Sequence, residues 1–290
     1  CRNRDETPIE ENTMTKKISF QGELGAYSHQ ACIQAKPNYE AIPCNTFESA
    51  MERVRLEEAD LAMLPIENST YGRVSDIHRL LPESQLHIVG EVFVRVRISL
   101  LGIKGTKVSK IKSAVSHSVL LGQCRNFLTN QKIDPVVGAD TAGSARYISE
   151  LSDPSKAALA SELAGEIYGL SVLAKDIEDN DNNTTRFLIM SKMPSDEEQV
   201  KQKMMTSFVF RVKNIPAALF KAMGGFATNS VNMTKLESYM VDGDFTATQF
   251  YADIEGHPED KNVSLAFEEL SFFTSEIKIL GSYKADSSRN

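Results

Sequence analysis

Lys17-Ile18-Ser19-Phe20-Gln21-Gly22-Glu23-Leu24-Gly25-Ala26-Tyr27-Ser28-His29 opens with a strand-like alternation, passes through two glycines and runs on into an alanine-containing segment. That pattern is a strand, a tight turn and a helix beginning near Ser28. The same grammar repeats downstream. Thr46 stands where a cap belongs, ahead of a helix whose Phe47, Ala50, Met51 and Val54 fall at i, i+3, i+4 and i+7. Leu61–Leu64 reads as a short buried strand stopped by Pro65. Then come strand Val92–Leu101, strand Ser113–Val115, helix Val119–Leu128 and strand Pro135–Val137. Thr141 caps helix Ala142–Glu150, strand Ala157–Ala160 follows, and Ser161 caps a helix ending near Gly169. A polar loop, Asp179–Thr184, leads into strand Arg186–Ser191. Strands alternating with helices predict an α/β fold of parallel βαβ units. Ligands gather beyond the carboxyl ends of strands in such sheets, which singles out Glu67-Asn68-Ser69, Ser116-His117 and the 179–184 loop.

After Lys192 the pattern dissolves into a charged, aperiodic stretch, Met193-Pro194-Ser195-Asp196-Glu197-Glu198-Gln199-Val200-Lys201-Gln202-Lys203. We read it as a linker. Beyond it the expectation is strand Ser207–Val212, helix Ala217–Ala227, strand Val231–Ser238, a turn at Asp242-Gly243-Asp244, strand Phe245–Asp253, helix Lys261–Phe273 and strand Ile277–Tyr283. This βαββαβ order is the ferredoxin-like arrangement. Phe208 and Phe210 share one strand face, as in some nucleic-acid-binding sheets, but the basic surface is missing.

Bulk composition narrows the function classes. The 290 residues are 41% hydrophobic, enough for two or three globular units. With 39 acidic against 32 basic residues the net charge is −7, which opposes nucleic-acid binding. Cys1, Cys32, Cys44 and Cys124 form no CxxC pair, and the five histidines have no ligand-like spacing, so neither a disulfide framework nor a metal site is expected. Residues 1–15 are polar and aperiodic and are read as a disordered extension. No apolar run suits a bilayer, so no membrane partner is expected and the location is taken as cytoplasmic.

Four stretches in order carry a resemblance: Phe20-Gln21-Gly22-Glu23-Leu24-Gly25-Ala26-Tyr27-Ser28-His29; Pro65-Ile66-Glu67-Asn68-Ser69 with Gly72 and Val74; Ser116-His117 with Gln123-Cys124; and Tyr168-Gly169-Leu170 with Asn183-Thr184-Thr185-Arg186-Phe187. Together they resemble the prephenate dehydratase family from Ile18 to Tyr283. The resemblance implies a catalytic region over 16–193 built as two α/β lobes like those of periplasmic solute-binding proteins, a linker at 194–204, an ACT-type amino-acid-sensing domain over 205–285 and a short tail at 286–290. It further implies decarboxylative dehydration of prephenate to phenylpyruvate, with L-phenylalanine as effector and a homodimer or homotetramer as the assembly. Arogenate dehydratase is the nearest alternative. A non-catalytic ACT-linked sensor is the alternative of another class. The chain departs from the family's pattern at Ser118-Val119, at Ala217-Ala218-Leu219-Phe220 and at Glu237-Ser238-Tyr239-Met240.

Aromatisation drives this reaction, so no cofactor is expected; the protein has to hold a dianion and help hydroxide leave. Thr185, by resemblance the residue tied most closely to catalysis, offers a hydroxyl from a rigid strand. Glu67 is the expected proton source if burial raises its carboxyl, and Asn68 shares its loop. Arg186 is expected to clamp substrate carboxylate, its plainer fate being a surface pair with Asp179 or Asp181. Ser28, Ser69, Ser116, Gln123 and Phe187 complete the expected substrate site. His29 and His117 are read as structural, and Arg95 and Arg97 as the solvent face of a strand. In the second domain, Ala217, Ala218 and Leu219 open a helix whose amides face an amino-acid carboxylate, with Asn232, Leu236, Glu237 and Ser238 supplied by the neighbouring strand.

Overall fold

In the computed structural model, the structure describes residues 15–195, 202–240 and 247–289. Most of the expected extension, the middle of the expected linker and the expected 242–244 turn lie outside the described residues.

The chain begins with β1 (Lys17–Gln21), α1 (Tyr27–Ala35), β2 (Glu40–Cys44), α2 (Phe47–Arg55) and β3 (Leu61–Asn68), three parallel strands with crossover helices. Thr46 caps α2 as expected, in a reciprocal capping box with Ser49. Strand β3 does not stop at Pro65 but runs on to Asn68. Proline is tolerated there because the β1 ladder has already ended at Met63, and the β11 ladder is bulged opposite it. Short strand β4 (Gly72–Arg73) folds back on β3, and α3 (Ser75–Leu80) leads to β5 (His87–Arg95).

The expected single strand over 92–101 is two. After β5 the chain leaves the first sheet, and β6 (Ser99–Gly102) belongs to a second one with β7 (Ser113–Ser116), β8 (Asp134–Val137), β9 (Lys156–Ala160) and β10 (Ser171–Ala174). The intervening helices are α4 (Ser118–Gln123), α5 (Arg125–Gln131), α6 (Thr141–Leu151) and α7 (Glu162–Tyr168). The expected helix over 119–128 is broken at Cys124, and Asp140 rather than Thr141 caps α6 through Gly143. The chain then returns to the first sheet as β11 (Thr184–Ser191), which runs antiparallel between β3 and β5. Both sheets are therefore mixed, not purely parallel. Two crossings join the lobes, held together by Val96 N–H to Asn183 carbonyl and Ile177 N–H to Ile98 carbonyl. Gly25, at φ +93°, sits at the lobe contact; a Cβ there would lie 2.8 Å from the Ala164 Cα.

The second domain has β12 (Met204–Val212), α8 (Ala218–Thr228), β13 (Met233–Met240), β14 (Ala247–Glu255), α9 (Lys261–Phe273) and β15 (Thr274–Lys284). Sheet order β13-β14-β12-β15, all antiparallel, is ferredoxin-like. Phe208 and Phe210 are buried against α8 and α9 with Phe226 and Phe250, so they form core and no binding face.

The two regions are not beads on a linker. The face of the second-domain sheet away from its helices packs on the first-lobe sheet: Met205, Val209, Tyr251, Leu280 and Tyr283 share one core with Leu64, Ile66, Leu188 and Met190. Contact is so close that a Cβ on Gly281 would lie 2.0 Å from the Ile88 carbonyl oxygen. Within the segment read as a tail, Arg289 is tethered, donating to Glu91 and lying over the Phe93 ring.

Candidate functional site

Strand β11 alternates, and the alternation sorts the expected site residues. Phe187 and Ile189 point with Ile18, Phe20, Val92 and Val94 toward α1, whereas Leu188 and Met190 point into the core shared with the second domain. Thr185 therefore faces the interlobe side and Arg186 the domain junction. Between the lobes lies a cleft of about 390 Å³. Gln21, Gly22, Glu23, Ser28, Thr185 and Phe187 line it from the first lobe, and His117, Val119, Leu120, Asp140 and Thr141 from the second.

Thr185 is held by Asn68, whose amide nitrogen donates to Thr185 Oγ1 at 2.9 Å and to Asn183 Oδ1 at 2.7 Å. The other end of that amide accepts from the Thr70 and Tyr71 N–H groups. Both ends being engaged, the amide orientation is fixed, and the Thr185 oxygen accepts a hydrogen bond while its own hydroxyl proton stays available to donate. Ser69 bridges the same strands, its hydroxyl donating to the Asn182 carbonyl and accepting from Thr184 N–H. It builds the loop and does not line the cleft.

Several expectations are corrected. Arg186 is not a substrate clamp, nor does it pair with Asp179 or Asp181. Its guanidinium is 1% exposed and binds Glu91 at 2.7 Å, Asp253 at 2.5 Å, Glu67 at 3.0 Å and the Tyr283 hydroxyl at 2.9 Å. Burial works against that charge, but Tyr283, Asp253, Tyr251 and Glu91 around it hold it protonated far above neutrality. Glu67 lies on the same junction face, bonded to Arg186 and, at 2.5 Å, to Lys235 of β13. Burial pushes the Glu67 carboxyl up, yet the Lys235 hydrogen bond and the charges of Arg186 and Lys235 outweigh it and hold it below its ordinary value. Glu67 is thus an ionised carboxylate facing away from the cleft, not a proton source. Ser116 is fully buried, its hydroxyl donating to the Leu159 carbonyl. Gln123 ends α4 beside the returning crossing, its carbonyl accepting from Asp179 N–H, and stands outside the cleft lining.

His117, read from the sequence as structural, lines the cleft, as do the unexpected Gln21, Glu23, Asp140 and Thr141. The loop after β8 obeys the strand-end rule as well as the three loops chosen and was the readable signal for the last two. Glu23 pairs across the lobes with Arg146 at 2.7 Å, and Asp140 accepts from Gly143 N–H at 2.5 Å. The lobes are also joined by Ser161 hydroxyl to Gly25 carbonyl at 2.6 Å, Tyr168 hydroxyl to Leu24 carbonyl at 2.9 Å and Tyr71 hydroxyl to Val119 carbonyl at 3.4 Å. His29 is structural as expected: Nδ1 accepts from Gly25 N–H at 3.0 Å and the ring stacks on Phe20. Among the described residues no cluster of His, Cys, Asp and Glu fits a metal ion, and no helix is long and apolar enough to cross a membrane.

In the second domain, Ala217 takes a left-handed conformation, φ 59°, ahead of α8. Leu236 is partly exposed on the helix side of edge strand β13, level with Ala252, and Ser238 is level with Phe250. Glu237 points the other way, pairing with Lys235 at 3.0 Å and Arg73 at 3.5 Å, so its side chain is separated from the other expected effector contacts. The Asn232 carbonyl accepts from Glu255 N–H at the start of β13.

Residues 18–195 match the family model described as prephenate dehydratase. A bifunctional N-acyl-homoserine lactone acylase/prephenate dehydratase of Komagataeibacter europaeus is 48% identical over 268 residues, covering 92% of this chain and 95% of that protein. Arogenate dehydratase/prephenate dehydratase 1, chloroplastic, of Arabidopsis thaliana is 40% identical over 284 residues, covering 93% of this chain and 72% of that protein. The crystal structure of prephenate dehydratase in complex with L-Phe from Arthrobacter aurescens is similar with a TM-score of 0.85 at 32% identity, over 94% of this chain and 91% of that one.

Proposed function

The chain belongs to the prephenate dehydratase family, and from that premise we propose that Thr185, held by Asn68, assists loss of hydroxide from prephenate in the interlobe cleft. The ring carboxylate departs as carbon dioxide, its bonding electrons enter the ring, and the opposite carbon–oxygen bond breaks. Phenylpyruvate and carbon dioxide are released, and the hydroxide becomes water once protonated. Thr185 donates a hydrogen bond to the departing oxygen, at the point where negative charge develops. Asn68 contributes by turning the Thr185 lone pair away from the substrate. The carrying observation is the 2.9 Å bond from Asn68 to Thr185 at the cleft wall. Ser28 and Phe187 line the substrate space. Incubating the purified protein separately with prephenate and arogenate, and following phenylpyruvate and phenylalanine, tests the reaction; the expected result is turnover of prephenate.

The ferredoxin-like domain is, on this reading, an ACT-type sensor of L-phenylalanine that works in a homodimer or homotetramer in the cytoplasm. Support comes from the Arthrobacter aurescens relative, whose structure holds L-Phe. Ala217, Ala218 and Leu219 at the start of α8, with Asn232, Leu236 and Ser238, are the proposed effector contacts. Phenylalanine added to the assay is expected to change the rate. A rate and an oligomer size both indifferent to it would remove this part.

A second reading is favoured by the 48% identity to a relative whose name joins prephenate dehydratase to N-acyl-homoserine lactone acylase. The same preparation assayed for homoserine lactone released from an N-acyl-homoserine lactone tests it, and no release would dismiss it.

A further inference from the structure

Resting on the prephenate reading, we propose that His117 supplies the counter-charge for a substrate carboxylate and so governs substrate affinity. With Arg186 turned into the domain junction, a dianionic substrate has lost its expected cation. No lysine or arginine lines the cleft among the described residues. Two acidic groups do, and both are already engaged: Glu23 with Arg146, and Asp140 with the Gly143 amide. Among the described residues that line the cleft, His117 is the one with a basic side chain.

Its geometry favours this role. His117 follows β7, where the strand's carboxyl end meets the cleft, and its side chain is exposed. Nδ1 accepts from Val119 N–H at 3.3 Å, so in the neutral ring the proton sits on Nε2, the nitrogen not turned back on its own backbone. Thr185 lines the same space from the other lobe, so the cation and the hydroxyl donor address one substrate from opposite walls.

The cap and the charge are separable by substitution. Asparagine at this position still accepts from Val119 N–H but carries no charge. Lysine restores charge without the cap. For His117→Asn we expect KM for prephenate to rise ~10- to 100-fold, the size of one hydrogen bond to a charged group, with kcat nearly unchanged. His117→Lys is expected to recover most of that KM while melting at a lower temperature than His117→Asn. Wild-type kinetics in His117→Asn would overturn the proposal, as would a loss confined to kcat. A large KM rise in Arg146→Gln with His117→Asn silent would transfer the role to Arg146. No turnover by the wild-type protein would instead overturn the reaction, and this inference with it.

Discussion

Thr185 and Arg186 are consecutive on one strand and leave it in opposite directions, the first bonded to Asn68 at the cleft and the second to Glu91 and Asp253 in the domain junction. One strand thus serves the chemistry on one face and anchors the second domain on the other. Removing the Arg186 charge leaves the fully buried Asp253 without its cation and leaves Glu91, also fully buried, with Arg289 alone. Arg186→Met is expected to destabilise the protein by about 3–5 kcal/mol, measured as the shift of the denaturant midpoint at constant slope. Arg186→Lys should recover part of this. A cost under about 1 kcal/mol would show that the cluster is dispensable.

Glu67 is assigned to the junction and not to the proton. Glu67→Gln keeps the side-chain shape and an oxygen for Arg186 but loses the charge facing Lys235. We expect a stability loss of about 1–2 kcal/mol and a kcat close to that of the wild type. A kcat reduced tenfold or more, in a protein still folded, would return Glu67 to the chemistry.

Asn68 separates two roles. Asn68→Asp still accepts from the Thr70 and Tyr71 amides, so the turn survives, but an ionised carboxylate cannot donate to Thr185 and draws the threonine proton toward itself. Both Asn68→Asp and Asn68→Ala are expected to lower kcat by about 10²-fold, with Asn68→Asp the better folded of the two. An active Asn68→Asp would contradict the donor direction assigned here.

His78 gives the junction a pH dependence. It is buried against Tyr251, and burial, with the nearby charge of Lys235, lowers its pKa from 6.5 to about 4. The unfolded chain therefore takes up a proton before the folded one does. Its contribution is fully present above pH 6.5 and is lost as the pH falls toward 4, by roughly 3 kcal/mol at the lower end. Below that, Glu67 and Asp253, both held under their ordinary values, add a further loss as they protonate. His78→Phe should flatten the decline of melting temperature between these limits; an unchanged slope would exclude His78 as its source.

Local signals were readable where the chain obeys local rules. Thr46 and Ser161 cap as their sequence context indicates, and the βαββαβ order of the second domain follows from periodicity and turn residues. What escaped was set by distant partners. Pro65 would stop a central strand, but the ladder on one side has ended where it sits. The alternating run from Val92 to Leu101 crosses between sheets, and no local pattern separates a continuous strand from a crossing. Arg186 and Glu67 look like site residues because they adjoin Thr185 and Asn68. Only the pleat, together with the sheet packed on its other face, assigns them to the junction.

The Thr185 hydroxyl is tested most directly by Thr185→Val, which keeps the β-branched shape and strand preference while the donor is lost. Assayed with prephenate by phenylpyruvate formation, Thr185→Val is expected to lose ~10²- to 10³-fold in kcat with KM little changed, and Thr185→Ser to retain most of the wild-type rate. A folded Thr185→Val that forms phenylpyruvate at the wild-type rate would contradict the account.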